Sequence, residues 1–264
     1  MKGHIDKNKI LSEISPCLRD LEISVFDSVG STNDYAKSLA KSGREKKPLV
    51  AAAYEQKSGR GTRERSFISN GGAGVYMSIL FYPEKNILPA DITVYSAVSA
   101  SRAIEKHTKL KCGIKWVNDI YIESKKLAGI LTEGELSDGG LSYAVVGIGI
   151  NTNTEKLPEE ISDIATSVKI ESGREISNES LIAQIINLFF DGLKSIKSRQ
   201  IIAEYRDRSV IIGKEVYISS SKGNFEGKVI EICDTGSILI EKSDKSVLQL
   251  ESGDVSIKLG GNSK

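Results

Sequence analysis

Hydrophobic and polar residues follow patterns along the first 200 residues that predict several strands and two longer helices. Residues 21–28 alternate as a half-buried strand does, and residues 49–55 and 75–82 form the short apolar runs that central strands use. Apolar residues at helical spacing predict helices over 90–106 and 176–197. The pattern therefore indicates a chain that mixes strands and helices.

Local start and stop signals add detail to this prediction. Ser31 and Thr32 precede a helical pattern that ends before Gly43, as a capped helix does. The runs CGIKW, DIYIE and KLAGILTE predict three short strands, with a hairpin turn at 123–125 between the last two. Residues 141–151 are strongly strand-like and carry two glycines near their end.

After Ile212 the pattern changes to short β-rich segments separated by polar turns, which is typical of a small all-β module of about 50 residues. We place the boundary near 208–213. The expected division is a short helical extension over 1–20, a main domain over 21–208 and a C-terminal module over 209–264.

Composition narrows the class of protein. The hydrophobic fraction of 39% among 264 residues argues against wholesale disorder. The 36 basic and 35 acidic residues leave a net charge of +1, which argues against a nucleic-acid coat protein or a polybasic membrane binder. No apolar run approaches the roughly 18–20 residues of a membrane-spanning helix, and the start of the chain lacks an apolar signal core. We therefore expect a cytoplasmic protein that binds neither nucleic acid nor membrane.

The scarcity of nucleophiles and metal ligands narrows the chemistry. The three cysteines are far apart and form no zinc pattern, and only two histidines are present. No Ser/His or Cys/His pair is available for covalent catalysis. The chain therefore suits chemistry that needs positioning and charge neutralisation, of which nucleotidyl transfer is an example.

The first candidate site is the segment YEQKSGRGTRER at 54–65. Its four basic side chains are Lys57, Arg60, Arg63 and Arg65. Glycine lets backbone N–H groups approach an anion and guanidinium supplies forked donors, so the segment could cradle an anion. A solvated basic loop is the alternative. The spacing matches neither a Walker phosphate loop nor GxGxxG.

The second candidate site is KWVNDIYIESKKLAGILTE, in which Lys115, Asn118 and Asp119 surround the single tryptophan, Trp116. Lys126 follows across the predicted hairpin turn. A lysine and an acid so placed could hold a phosphate and a divalent cation, although a surface hairpin with ordinary charge pairs has the same pattern.

The third candidate is GIGIN at 147–151. Glycines at the end of a strand let a ligand approach the backbone, and Asn151 supplies a polar group there. A strand with bulges is the alternative.

Together these segments resemble the biotin protein ligases. The matching motifs are STN at 31–33, EQKSGRGTRERSF at 55–67, KWVNDIYIESKKLAGILTE at 115–133 and VVGIGIN at 145–151. They occur in the family's order, and the resemblance covers about residues 20–258. It implies an α+β fold: a mixed β-sheet with helices, shared with lipoate ligases, followed by a small SH3-like β-barrel. Residues 21–208 would be the catalytic domain and 209–264 the barrel.

The resemblance also implies a reaction. Biotin carboxylate would attack the α-phosphate of MgATP to give biotinyl-5′-AMP, and a lysine of the biotin carboxyl carrier domain of a carboxylase would then take the biotinyl group. The carrier would be held transiently, and the enzyme could form a homodimer. The 30 residues before STN are too few for the DNA-binding domain of about 60 residues that some members carry. A lipoate or octanoate ligase and a non-catalytic biotin or nucleotide sensor are the alternatives.

Residue roles follow from motif positions. The resemblance places at biotin Ser31, Thr32, Asn33, Gln56, Gly59, Arg60, Gly61, Thr62, Lys126 and Gly129. It places at the nucleotide Arg63, Arg65, Phe67, Lys115, Trp116, Asn118, Asp119 and Asn151. The implied catalytic residues are Lys126, Arg60, Lys115 and Asp119, with Asp119 also on Mg²⁺.

The basic loop departs from the family's GRGRRGRxW, because it has Thr62, Glu64 and Phe67 where that pattern has Arg, Gly and Trp. Phe can still stack on adenine, but Thr62 removes a guanidinium. We therefore predict faster escape of biotinyl-AMP than from a relative with arginine, measured as free adenylate during turnover without acceptor. Undetectable free adenylate would contradict this prediction. We also expect residues 57–73 to be mobile without ligand.

Overall fold

The computed structural model describes residues 4–61, 67, 69, 71–137, 140–193, 196, 200–220 and 223–258. Within these ranges the α-helices are α1 (Lys7–Glu13), α2 (Thr32–Lys41), α3 (Pro89–Thr108), α4 (Val168–Ser172), α5 (Asn178–Gly192) and α6 (Ile201–Asp207). The strands are β1 (Glu22–Phe26), β2 (Leu49–Ala53), β3 (Gly74–Phe81), β4 (Gly113–Lys115), β5 (Asp119–Ile122), β6 (Lys125–Ser137), β7 (Gly140–Asn151), β8 (Glu215–Ser220), β9 (Gly223–Ile232), β10 (Ile238–Glu241), β11 (Val247–Leu250) and β12 (Asp254–Ile257).

The main sheet has seven strands in the order β1-β2-β3-β7-β6-β5-β4. Strands β1 and β2 are parallel and the other neighbours are antiparallel. The mixed sheet and the predicted helices confirm the α+β class. The predicted hairpin between β5 and β6 is also confirmed, and Ser31 caps α2 by accepting from the Asp34 N–H.

Helices cover both faces of this sheet. Helices α3 and α5 pack on one face, in the core that contains Val146 and Ile148 of β7. Helix α2 packs on the other face, where Ala36 lies in a smaller cluster with Val145. Because side chains alternate along a strand, the odd-numbered residues of β7 face α2. The candidate site lies on this α2 face.

The predicted C-terminal β module is confirmed as a five-stranded antiparallel sheet in the order β11-β10-β9-β8-β12. It shares one continuous apolar core with the main sheet. The backbone on either side of the expected boundary pairs with β4, since Ile114 N donates to Arg208 O and Val210 N donates to Ile114 O. The division at residues 20 and 208 stays a prediction.

Two short helices, α4 and α6, were not predicted. They have five and seven residues, too few to show a clear helical period. None of the helices in the described part of the chain is long and apolar enough to cross a bilayer.

A cluster of opposite charges ties α3 to α6. Arg208 donates to both carboxylate oxygens of Glu105, at 2.7 and 2.9 Å, and to Glu204 at 2.9 Å. Arg102 also donates to Glu204. Burial raises the pKa of both carboxyls, but hydrogen bonds from Arg208, joined at Glu204 by Arg102, outweigh it and hold each pKa below its ordinary value.

We expect Arg208→Gln to lower the free energy of unfolding at pH 7 by about 1–3 kcal/mol. Because the folded-state pKa values are lowered, the carboxylates stabilise the protein above the ordinary Glu pKa of 4.5. That stabilisation is lost as the pH falls through the lowered values. The difference between variant and wild type should therefore shrink from about pH 5 to pH 3 in urea denaturation. Arg44→Gln, which breaks a more exposed pair with Glu22, is the control and should cost less. A difference that does not change with pH would contradict this account.

Candidate functional site

A cleft of about 490 Å³ opens on the α2 face of the main sheet. Its lining includes Gly129 of β6 and Gly147 and Gly149 of β7, which share that face. A Cβ atom at Gly147 would lie 2.3 Å from Asn33 Oδ1, and one at Gly149 would lie 2.8 Å from Phe67 Cε1. The glycines therefore make room for the side chains that form the walls. We call this the first cleft.

The N-terminus of α2 supplies the polar end of the first cleft. Thr32 N donates to Gln56 Oε1 at 2.9 Å, and Gln56 Nε2 donates to Ser69 Oγ at 3.1 Å. Asn33 Nδ2 donates to Glu133 Oε2 at 2.8 Å. These partners fix which atom of the Gln56 and Asn33 side-chain amides is the oxygen and which is the nitrogen.

The hydroxyl oxygens of Ser78 and Thr32 link these two amide oxygens in a chain that has fewer protons than hydrogen-bond contacts. Ser78 Oγ is 2.5 Å from Asn33 Oδ1 and 2.7 Å from Thr32 Oγ1, which is 3.0 Å from Gln56 Oε1. Three oxygen–oxygen contacts are thus served by the two hydroxyl protons of Ser78 and Thr32. This end of the cleft has an excess of acceptors, which a ligand with N–H donors would balance.

Lys126 and Asp119 lie at the other end of the first cleft. Lys126 Nζ is 2.6 Å from Asp119 Oδ1, an ion pair between neighbouring strands. The backbone of Lys126 also pairs with the 164–166 segment, through Lys126 N to Ile164 O and Thr166 N to Lys126 O. Gly129 leaves space beside the ammonium, since a Cβ there would lie 3.3 Å from Lys126 Nζ. These contacts fix the position of the Lys126 side chain, and Lys126 lines the cleft where an anionic ligand can reach it.

Charged side chains surround the mouth of this cleft. Lys37 Nζ is 3.1 Å from Asp34 Oδ1 and 2.8 Å from Glu133 Oε1, and Arg60 Nη1 donates to Asp34 Oδ1 at 2.6 Å. Burial raises the pKa of Asp34, but the hydrogen bonds from Lys37 and Arg60 outweigh it and lower that pKa overall. Burial lowers the pKa of Lys37, whereas bonds to Glu133 and Asp34 raise it, with a net increase.

The predicted basic loop begins along this mouth. Phe67 N donates to Gly59 O at 2.9 Å, so residues 59 and 67 lie side by side. Gly61 and Phe67 line the first cleft, and a Cβ at Gly59 would lie 2.4 Å from Phe67 O. Thr62, Arg63, Glu64 and Arg65 lie outside the described residues, as does part of the segment expected to be mobile.

A second cleft of about 830 Å³ adjoins the first and shares Phe67 and Lys126 with it. Segment 154–165 forms one wall, mainly through its apolar residues Leu157, Pro158, Ile161, Ile164 and Ala165, and Ala73 and Tyr76 also line this cleft. Asn151 lines this cleft and donates to Thr166 O at 3.0 Å. Burial raises the pKa of Tyr76 far above the ordinary value, so its phenol stays protonated. Lys126 is the cation that the two clefts share.

The structure does not bring two of the predicted nucleotide residues to either cleft. Trp116 is buried, and its indole N–H donates to Gly236 O at 2.8 Å, because the apolar ring packs in the core shared with the C-terminal sheet. Lys115 Nζ lies over the Tyr121 ring, 5.6 Å from its centroid. Burial and Asp119 raise the pKa of Tyr121 to about 12. Neither side chain lines either cleft, and the nucleotide contacts of Trp116 and Lys115 stay a prediction.

Most of the other predicted residues that the structure describes line one of the two clefts. Ser31, Thr32, Asn33, Gln56, Arg60, Gly61, Phe67, Asn118, Asp119, Lys126 and Gly129 line the first cleft, and Asn151 lines the second. Gly59 is not among the residues that line either cleft. Asn118 is held by donating to Ile130 O and accepting from Ile130 N.

The sequence prediction missed Ser78, Glu133 and the 154–165 wall. Ser78 could have been noticed in the sequence, because it is the only serine or threonine within the apolar run of β3. The 154–165 segment had none, since it lacks a periodic pattern. No group of three or more His, Cys, Asp or Glu side chains that could hold a metal ion occurs within the described ranges.

Comparison with known proteins agrees with this geometry. Residues 25–151 match the biotin/lipoate A/B protein ligase family. The bifunctional ligase/repressor BirA of Bacillus subtilis is 30% identical over 261 residues, which cover 97% of this chain and 80% of that protein. The biotin–[acetyl-CoA-carboxylase] ligase of Mycobacterium tuberculosis is 27% identical, with 89% of this chain and 88% of that protein covered.

Among solved structures, the biotin protein ligase of Aquifex aeolicus in complex with biotin and ATP superimposes with a TM-score of 0.77. It is 26% identical, and the alignment covers 90% of this chain and 98% of that one. The sequence match to the Bacillus protein extends over nearly the whole chain, and the fold agrees over 90% of it. The chain therefore belongs to the biotin/lipoate A/B protein ligase family.

Proposed function

We propose that this protein is an ATP-dependent ligase that activates biotin as biotinyl-5′-AMP and transfers it to a lysine of a biotin carboxyl carrier domain. The observation that carries the proposal is the sharing of Lys126 and Phe67 by two adjoining clefts. Adenylation requires a carboxylate and an α-phosphate to meet at one point. The junction of the clefts offers a lysine there.

The excess of hydrogen-bond acceptors at the polar end of the first cleft favours biotin over lipoate. The cyclic urea of biotin carries two N–H donors, whereas the dithiolane ring of lipoate carries none. A ligand without donors would leave the oxygen chain from Asn33 through Ser78 and Thr32 to Gln56 short of a proton. Sites built to hydrogen-bond a polar group reject analogues that lack it, by up to roughly 10⁴–10⁵.

In the first step a carboxylate oxygen of biotin attacks the α-phosphorus, and the bond to the pyrophosphate leaving group breaks. Bringing two unit negative charges to about 4 Å costs roughly 4 kcal/mol at an effective dielectric constant near 20. The Lys126 ammonium, held by Asp119 at 2.6 Å, offsets that repulsion and stabilises charge in the transition state. The adenine would occupy the second cleft beside Phe67 and the 154–165 wall.

Magnesium fits this site as an ion that ATP carries. Asp119 is the one carboxylate among the described lining residues of the two clefts. Mg²⁺ is commonly held by one or two carboxylates together with substrate phosphates and water. The ion would supply charge neutralisation at the phosphates, and Asp119 would be its protein ligand.

In the second step the neutral amine of the acceptor lysine attacks the acyl carbon of biotinyl-5′-AMP. An amide bond forms, AMP leaves with the bridging oxygen, and the amine loses a proton to solvent. We propose that the acceptor is the carrier domain of a biotin-dependent carboxylase, bound transiently. A homodimer is also proposed, and it is supported by β1, which ends the main sheet as an edge strand.

Biotin-dependent exchange of labelled pyrophosphate into ATP tests the proposed adenylation. The assay is run with and without Mg²⁺, and lipoate replaces biotin as the control. We expect exchange with biotin and Mg²⁺ alone. Exchange driven by lipoate would identify a lipoate ligase, and biotin binding without exchange would identify a sensor; either result would overturn the proposal.

A further inference from the structure

Asn178, the first residue of α5, connects the elements on either side of the second cleft. Its Nδ2 atom donates to Gly74 O at 3.1 Å and to Gly72 O at 3.4 Å. Its Oδ1 atom accepts from Thr152 Oγ1 at 2.6 Å. One amide thus joins the start of α5, the start of β3 and the segment that follows β7.

The carbonyl of Ala73, between Gly72 and Gly74, is also hydrogen-bonded to the 152–154 segment. Ala73 O accepts from Thr152 N at 3.1 Å, Asn153 N at 3.0 Å and Thr154 Oγ1 at 3.2 Å. Three consecutive carbonyls are therefore held by side chains and backbone of α5 and of the 152–154 segment. Because each of these carbonyls accepts at least one hydrogen bond, the network holds the junction in one geometry.

Two of the residues in this junction, Ala73 and Thr154, line the second cleft together with Asn151, whereas Asn178 does not line it. Asn151 is also paired with Gly74 across β3 and β7. A shift at the Asn178 junction would therefore move Ala73 and Thr154 together without changing the polar end of the first cleft.

We infer that Asn178 is a positioning residue for nucleotide binding, acting through the Ala73 backbone and the 152–154 segment. The inference rests on the proposed use of ATP and adds a residue that does not touch the nucleotide. A purely structural residue would change stability alone, whereas Asn178 sets the shape of the nucleotide half of the site.

Asn178→Asp is the test variant. The carboxylate keeps the size and the acceptor for Thr152, but it loses both donors and places negative charge against the carbonyls of Gly72 and Gly74. Aspartate near a helix N-terminus is otherwise favourable, so α5 should still form. We expect the Kd for ATP to rise at least tenfold, and the Kd for biotin to stay within twofold of the wild type.

Asn187→Asp is the matched control on the same helix. Asn187 accepts from Ser15 N at 2.7 Å and donates to Glu13 O at 3.0 Å, on the side of α5 that contacts α1. It makes the same kind of backbone contact but is not part of either cleft lining. We expect this variant to lose thermal stability and to bind ATP like the wild type.

Both dissociation constants are measured by titration calorimetry with ATP and with biotin, which needs no turnover. Equal weakening of the binding of both ligands by Asn178→Asp, or unchanged ATP binding, would overturn the inference.

If Asn178→Asp does not fold, Thr152→Val removes the other half of the junction and should raise the Kd for ATP two- to fivefold. An unchanged Kd for ATP in Thr152→Val would overturn the inference. A wild type that binds ATP but shows no biotin-dependent exchange would refute the proposed ligase activity alone. A wild type that does not bind ATP would refute both.

Discussion

Lys126→Gln is expected to reduce biotin-dependent pyrophosphate exchange by about 10²- to 10³-fold, the cost typical of removing one charged or oxyanion-stabilising donor from a reaction centre. Lys126 is the cation at the junction of the two clefts. Glutamine keeps a donor but removes the positive charge that offsets the repulsion between carboxylate and phosphate. The exchange rate at saturating biotin and ATP is the measurement.

Lys125→Gln is the control, because Lys125 precedes Lys126 in β6 but donates to Ser162 O at 2.8 Å and is not among the residues that line the clefts. We expect it to leave the exchange rate within a few-fold of the wild type. Retention of more than a tenth of the wild-type rate by Lys126→Gln would show that the chemistry does not depend on this charge.

Gly147→Ala is expected to weaken biotin binding by roughly 5- to 140-fold. The added methyl group would lie 2.3 Å from Asn33 Oδ1, so the Asn33 side chain must move. It would then lose its hydrogen bonds to Ser78 and Glu133. Leaving such buried groups unpaired costs about 1–3 kcal/mol, and each 1.4 kcal/mol corresponds to about a tenfold change in affinity.

Biotin and ATP affinities of Gly147→Ala are measured separately by titration calorimetry. ATP binding should change little, since Gly147 lines the first cleft but not the second. Gly30→Ala is the matched control, because a Cβ there meets no atom within 4 Å. Biotin affinity within threefold of the wild type in Gly147→Ala would contradict the proposed role of Asn33.

Much of the candidate site could be predicted from the sequence because its motifs are local. Ser31 caps a helix whose first residues enter the cleft, so one short motif specifies both the helix start and the polar groups. The glycines of β7 were recognisable for the same reason. Such local signals depend only on neighbours along the chain.

The placement of Trp116 could not be read from its motif. Its neighbours Asn118 and Asp119 line the first cleft, yet its own side chain packs toward the C-terminal sheet and donates to Gly236. A prediction that treats a motif as one unit cannot separate residues that point in opposite directions. Trp116 and Asn118 lie in the turn between β4 and β5, and the hydrogen-bond partner of the Trp116 indole is 120 residues away.

The sequence by itself determined the order of strands and helices, the mixed α+β class and the motifs that carry charge and glycine. Those properties follow from hydrophobic period, capping and turn residues, all of which act over a few positions. Only the tertiary structure decided that Ser78 joins Asn33 to Thr32, that two clefts meet at Lys126 and that Asn178 anchors the start of β3. These contacts join residues distant in sequence, so they exist only once the sheet register and the helix packing are set.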